Sequence, residues 1–459
     1  MSAEGAIPPR IRDALDTAEG YVLVVAGRPG TGKTLFVHEV FREFEDSFLI
    51  LSNAEATSSS EEKFSSMPQW ANRHVIAQYW RPIDTSSLHE STLSEQISSL
   101  LGNVSIKDQH NIVIIDSWTD FLMPIDTKDR YRVQQAMIYA ARKEGKKLIL
   151  VTEGEWTDGS RPQLHHSADA IVQLRKLRKD QRLYRQLTID KMRNMSIEQD
   201  SFLFTLNNGR FTYIPWYVHQ FPPIMVGRDS IPDPTDSRVS TGNRSLDLIL
   251  NGGFEKSSLS LIEVENLAAP YLETIYIPFL SNQLQLGRPA VILLPEGWSP
   301  DRFIEGLSHF VDPNVILKQV IFFGRHALGH ENAREIDDDP WKTLQEIRYE
   351  STQLERKFYT QTTELFALDT LENKYGVNDV KGMMAEITAS LPTNERTIVT
   401  ILSQEQALRS SSIAYSVHLR VQELSGVLSV CGVNPKTNYL AVRPLLSKGF
   451  LDYDLVPIV

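Results

Sequence analysis

Three glycines, a lysine and a threonine stand close together near the start of the chain, in Gly27-Arg28-Pro29-Gly30-Thr31-Gly32-Lys33-Thr34. An apolar run of strand type, Tyr21 to Ala26, leads into them, and an amphipathic helical pattern beginning at Lys33 follows. The spacing Gly-x-x-x-x-Gly-Lys-Thr suits a phosphate chain, because glycines let backbone N–H groups curl round phosphate oxygens while the helix offers its partly positive N-terminus to the same anion. Gly27 to Leu35 are therefore expected to line a nucleotide site, with Lys33 reaching the β- and γ-phosphates and Thr34 holding Mg²⁺. A second group belongs with them. Asn111-Ile-Val-Ile-Ile-Asp116-Ser117 is a continuous apolar run ending in a carboxylate, the pattern of a buried parallel strand that delivers an aspartate to the metal, here through water.

These residues need a sheet to position them. Apolar positions Leu35, Phe36, Val37, Val40, Phe41 and Phe44 keep to helical spacing after the loop. A strand over 48–51, another over 75–79, a helix over 129–144 and a strand over 147–153 follow, and strands alternating with helices imply a parallel α/β sheet. Strand-rich stretches at 170–177, 182–191 and 202–213 close this first unit, which is expected to span 1–218. A polar, serine-rich stretch after Ser52, containing Thr57 to Ser60, leaves the sheet beside the nucleotide.

Prolines at 222, 223, 232 and 234 mark an expected linker at 219–238. A second unit, 239–459, repeats the order of the first: strand at 259–264, loop, helix, strand at 289–294, a charged helix at 341–358, then a strand running to Asp369-Thr370. Its loop reads Glu265-Asn-Leu-Ala-Ala-Pro270-Tyr271-Leu, without glycine, lysine or threonine. Glu263 and Glu265 are expected to occupy or repel the phosphate position, so this copy is not expected to bind a triphosphate.

The whole chain of 459 residues carries a net charge of −11, which opposes a broad surface for nucleic acid. The densest basic cluster, Arg175 to Arg182, reads either as a solvated turn or as a local patch. The single cysteine, Cys431, excludes an internal disulfide and reads as a core thiol. His165 and His166 read as a loop pair. No apolar run reaches the roughly 18 residues needed to cross a bilayer, and the polar N-terminus has no signal-peptide pattern, so a cytoplasmic location is expected.

Taken together, these motifs resemble the RecA-like ATPases of the KaiC and RadA type, with archaeal GvpD-like gas-vesicle regulators nearest in layout. The resemblance rests on the loop at 27–34, on Ile115-Asp116-Ser117, on Thr152-Glu153, on Lys191-Met-Arg193, and on Ser240-Thr-Gly242-x-x-Ser-Leu246-Asp247-x-x-Leu250-x-Gly252-Gly253. It implies two tandem RecA-like P-loop domains, ATP and Mg²⁺ as ligands, and self-association as a dimer or hexamer in which Lys191 and Arg193 reach the γ-phosphate held by a neighbouring subunit. Such domains carry a pair of glutamates after the second strand, whereas this chain has Asn53-Ala54-Glu55. Glu55 and Glu153 are the carboxylates left to polarise the attacking water.

Three functions fit this reading. One is an ATP-binding regulator that hydrolyses slowly and docks an unidentified protein partner through its degenerate second domain. The others are a RadA-like DNA-dependent ATPase and a non-catalytic ATP-binding scaffold. The acidic chain predicts that filter binding detects no steeply salt-dependent complex with single-stranded DNA; one that weakens sharply with salt would favour the recombinase reading.

Overall fold

The computed structural model describes residues 6–51, 74–76, 111–123, 125–154, 164–219, 230–325, 329–394, 396–410, 413–445 and 453–459. The chain forms two compact units, residues 1–215 with 458–459, and residues 216–457. Both are α/β.

In the first unit, α1 (Pro9–Thr17) precedes β1 (Val22–Gly27) and α2 (Lys33–Glu43). β2 (Ser47–Leu51), β3 (His74–Ile76) and β4 (Ile112–Asp116) come next, then α3 (Trp118–Leu122), α4 (Thr127–Lys143) and β5 (Lys147–Glu153). The sheet order is β3-β2-β4-β5-β1, all parallel. It continues through β6 (Ala170–Lys179), parallel to β1, into an antiparallel run of β7 (Arg182–Met192), β8 (Ser201–Thr205) and β9 (Thr212–Ile214). The strand-rich stretch expected over 202–213 holds two strands, parted by a turn in which Asn208 is left-handed.

Every residue of β1 is buried, and its side chains alternate between two cores. Leu23 and Val25 join Phe36, Val37 and Phe41 of α2, whereas Val22, Val24 and Ala26 join Val133 and Met137 of α4. A strand covered on both faces reads as an unbroken apolar run, and it must end where its loop begins.

The second unit starts with β10 (Arg238–Val239), α5 (Arg244–Ile249), β11 (Phe254–Glu255), β12 (Ser258–Val264), α6 (Ala269–Gln285) and β13 (Ala290–Leu293). α7 (Pro300–Ser308), α8 (Pro313–Gln319), β14 (Val320–Gly324), β15 (Ala333–Glu335), α9 (Pro340–Phe358), β16 (Thr363–Ala367), α10 (Leu368–Tyr375) and α11 (Val377–Asn394) follow. It ends with β17 (Thr397–Ser403), β18 (Val417–Leu424), β19 (Val427–Asn434), β20 (Leu440–Pro444) and β21 (Tyr453–Pro457). Its order, β15-β14-β13-β16-β17-β12-β18-β19-β20-β21, repeats the first sheet strand for strand with β15 added at one edge. Cys431 is buried on β19. The described parts of the proline-rich stretch, 216–219 and 230–237, belong to this unit; Ile231 N donates to Asn282 Oδ1 at 2.7 Å. The lead-in signature is a hydrogen-bond knot: the Asp247 carboxylate accepts from Ser240 Oγ, Thr241 N and Thr241 Oγ1 at 2.5, 2.7 and 2.7 Å. Among the described residues no helix is long and apolar enough to cross a membrane.

Asp369, at the start of α10, is fully buried. One oxygen accepts from Glu296 N at 2.9 Å, the other has no hydrogen-bond partner among the described residues, and burial pushes the pKa up to about 6. The folded chain then holds a proton that the unfolded chain releases near pH 4, and stability from this group falls as pH rises from about 4 through 6. Asp369→Asn is expected to remove that part of the pH dependence, measured as melting midpoint against pH from 5 to 7; parallel curves for the two chains would contradict the burial argument.

Candidate functional site

Gly27 closes β1 where no side chain fits, since a Cβ there would lie 2.6 Å from Leu174 O and 2.7 Å from Thr31 Oγ1. Gly30 and Gly32 have φ of 71° and 107°, values that L side chains rarely adopt. The chain therefore turns back on itself and enters α2 with Gly32 at its N-cap and no side chain capping the first turn. Those helix N–H groups remain available to an anion. Lys33, only 7% exposed, curls back to donate to Gly27 O at 2.8 Å and Arg28 O at 3.2 Å.

A cleft of about 360 Å³ opens over this turn, lined by Pro29, Gly30, Gly32, Lys33, Thr34 and Leu35 together with Asp116, Ser117, Asp120, Glu153 and Leu206. Gly27, Arg28 and Thr31 shape the loop without lining the cleft; the Thr31 hydroxyl donates to Arg28 O at 2.9 Å. Asp116 sits at the end of β4, 5% exposed. Its carboxyl is hydrogen-bonded to the Thr34 side chain, and burial raises its pKa to about 6 against the pull of Thr34 and Lys33. Its Oδ2 has no hydrogen-bond partner among the described residues. A buried, unpartnered carboxylate oxygen beside a threonine hydroxyl is a donor set suited to a hard cation such as Mg²⁺, so the residues present fit both the nucleotide and the metal.

Glu153, at the end of β5, is half exposed, with Oε1 3.7 Å from Lys33 Nζ. Desolvation pulls the Lys33 amine below its usual range, opposed by Glu153 and Asp116. Glu55 lies outside the described residues. Asp120 escaped the sequence reading although it follows Asp116 by one helical turn; its main-chain N–H is held by Ser117 Oγ at 3.1 Å, capping α3.

Lys191 and Arg193 are elsewhere. Met192 pairs with Ala170, which is level with Leu23 at the other end of β1 from Gly27, roughly 13 Å along the strand at the usual rise. Lys191 Nζ donates to His165 O at 2.8 Å, and Arg193 donates to His166 O at 3.1 Å and pairs with Asp169 at 3.5 Å. His165 and His166 thus take part through their main-chain oxygens.

The profile of a family described as "ATPase: KaiC" matches residues 17–215. The first unit is a KaiC-type ATPase domain. Over 337 residues the chain is also 26% identical to the protein GvpD2 of Halobacterium salinarum, covering 69% of this chain and 65% of the relative. With the protein GvpD1 of the same organism it shares 25% identity over 321 residues, 66% of this chain and 58% of the relative. Each match spans less than two thirds of the relative's own length. A match to a KaiC-type ATPase family implies nucleotide binding.

The second unit has no such loop. None of residues 265–271 has a positive φ, and the turn into α6 is closed by Asn266 Oδ1, which accepts from Ala268 N at 2.9 Å. Glu263 does not repel an anion as expected. It is buried, neutralised by Arg409 and Arg420 at 2.7 and 3.1 Å and hydrogen-bonded to His418 at 3.0 Å, and Glu265 accepts from Glu423 N at 2.7 Å. What this copy lacks is a loop of the right shape, and no surplus of negative charge is needed to explain it.

In the KaiC-type domain, Gly27→Ala is expected to cost about 1–3 kcal/mol through the forced contact with Leu174 O, read as a lower midpoint for the first unit's unfolding. An unchanged melt would show that the turn has room to spare.

Proposed function

We propose that this chain is an ATP-binding regulator of the KaiC and GvpD type. Its first domain binds Mg·ATP and hydrolyses it slowly, acting as a nucleotide switch, and its second domain, built on the same sheet without the loop, docks a protein partner. The observation that carries this reading is the meeting of Lys33, Thr34 and the unpartnered Asp116 Oδ2 at one cleft. There Thr34 and, through water, Asp116 would hold Mg²⁺, which when bound neutralises charge across the β- and γ-phosphates. Lys33 would exchange its two carbonyl partners for phosphate oxygens, and the N–H groups of Gly32 and the first turn of α2 would take the rest of the anion.

Attack on the γ-phosphate needs a water held by a carboxylate. Glu153 and Asp120 line the cleft, with Glu153 N fixed by Thr119 Oγ1 at 3.2 Å, and Glu55 joins them as a candidate from the sequence. A base must lie within hydrogen-bond reach of the water, and a single carboxylate in place of the expected glutamate pair supports slow turnover. Lys191 and Arg193, at the far end of the sheet from the cleft, support a role in trans: their cations would stabilise the γ-phosphoryl charge of a neighbouring copy in a dimer or ring.

Three measurements test this. Lys33→Ala is expected to bind ATP far more weakly than the native chain. Hydrolysis per chain is expected to rise with protein concentration, and a chain carrying both Lys191→Ala and Arg193→Ala is expected to keep ATP binding while losing that rise. A rate independent of concentration and untouched by the double substitution would contradict the trans role, and binding without phosphate release at any concentration would leave the scaffold reading in its place.

A further inference from the structure

Arg185, on β7 level with the nucleotide loop, is 9% exposed. Its partners among the described residues are three main-chain oxygens: Nη1 donates to Gly30 O and Thr31 O, both at 3.1 Å, and Nε donates to Val459 O at 2.7 Å. Burial pulls the guanidinium below its usual range. The same Val459 oxygen accepts from Leu206 N at 3.3 Å. Leu206 in turn lies against Gly32, where an added Cβ would stand 2.9 Å from its Cδ1, and lines the cleft. Ile458, fully buried, anchors this segment. Ile458 and Val459 group with the first unit although Pro457, next in sequence, ends β21 of the second.

From this we infer that Arg185 is a positioning residue for the nucleotide loop and that Ile458–Val459 sets its orientation, so that ATP affinity depends on the seating of a segment nearly 430 residues away in sequence from Gly30. The physical link is the planar peptide, in which C=O and N–H point in opposite directions. Holding Thr31 C=O outward turns Gly32 N–H towards the cleft, and holding Gly30 C=O fixes Thr31 N–H, which donates to Arg28 O at 3.3 Å. Two peptide planes of the anion-binding turn are thus set by one buried cation. That cation stands behind the place a polyphosphate would occupy, where its charge favours an anion. Val459 O ties together the two supports that flank the glycines, Arg185 and Leu206.

This inference rests on the nucleotide reading of the cleft, and the experiment separates the two. Isothermal titration with Mg·ATP is performed on the full native chain, Arg185→Gln, Ile458→Asp and the double variant, below the melting midpoint of each as followed by circular dichroism. Loss of a charge-assisted hydrogen-bond set predicts a Kd raised about tenfold or more in Arg185→Gln. Ile458→Asp should raise it in the same direction, and the double variant should stay within about twofold of the weaker-binding single, because the segment acts through Arg185. A residue that serves the fold alone would lower the midpoint of the free chain and leave Kd unchanged, which would overturn the inference, as would single effects that multiply in the double variant. Should Arg185→Gln fail to fold, Ile458→Asp decides: a native Kd there overturns the proposal and a raised one supports it. A native chain that does not bind ATP removes the nucleotide reading itself and this inference with it, whereas a binding native chain with variants of equal affinity removes this inference alone.

Discussion

A loop can close its amides on an anion only where the backbone turns left-handed and where no Cβ stands in the way. The loop after β1 meets that condition. Gly30 and Gly32 supply the left-handed turns, and Gly27 supplies the close approach to Leu174. The second sheet, with the same strand order, offers the corresponding position after β12 to residues that have no such freedom, and the chain there makes an ordinary Asx turn into α6. Two copies of one architecture therefore differ at this turn by a handful of backbone angles.

The rest of the first unit follows from serving that turn. β4 ends in Asp116 because the carboxylate must leave the buried strand at the edge where α2 begins, and β5 ends in Glu153 at the same edge. β7 runs the length of the sheet and carries a different cation at each end. Arg185 stands behind the loop, and Lys191 stands beside His165 at the opposite edge. Since a strand is stiff and its register fixed by β6, these two groups cannot serve one nucleotide of the same chain. The geometry that separates them is what supports assigning one to support in cis and the other to a neighbour.

Much of this was legible from local pattern. The glycines, Lys33 and Thr34 are consecutive, and Asp116 closes an apolar run, so spacing alone placed them. The order of elements along the second unit was readable from the echo of the first, because a buried parallel strand leaves a continuous apolar run. Arg185, Leu206 and Val459 were not legible: each reaches the loop across strand pairings or from the far end of the chain, and an arginine in a basic hairpin looks the same whether it faces water or three carbonyls. Asp120 was within reach, four residues after Asp116, but only the folded cleft shows that it lines the site. Glu263 misled in the other direction, since sequence shows a charge and hides the Arg409 and Arg420 that neutralise it.

The central claim is that one unit of the two can seat a nucleotide. Its most direct test is the stoichiometry of ATP binding to the full native chain with Mg²⁺ present, from equilibrium dialysis at saturating ligand. One ATP per chain is the predicted result. Two per chain would mean that the turn after β12 also seats a triphosphate, and none would mean that the glycine loop does not; either contradicts the account.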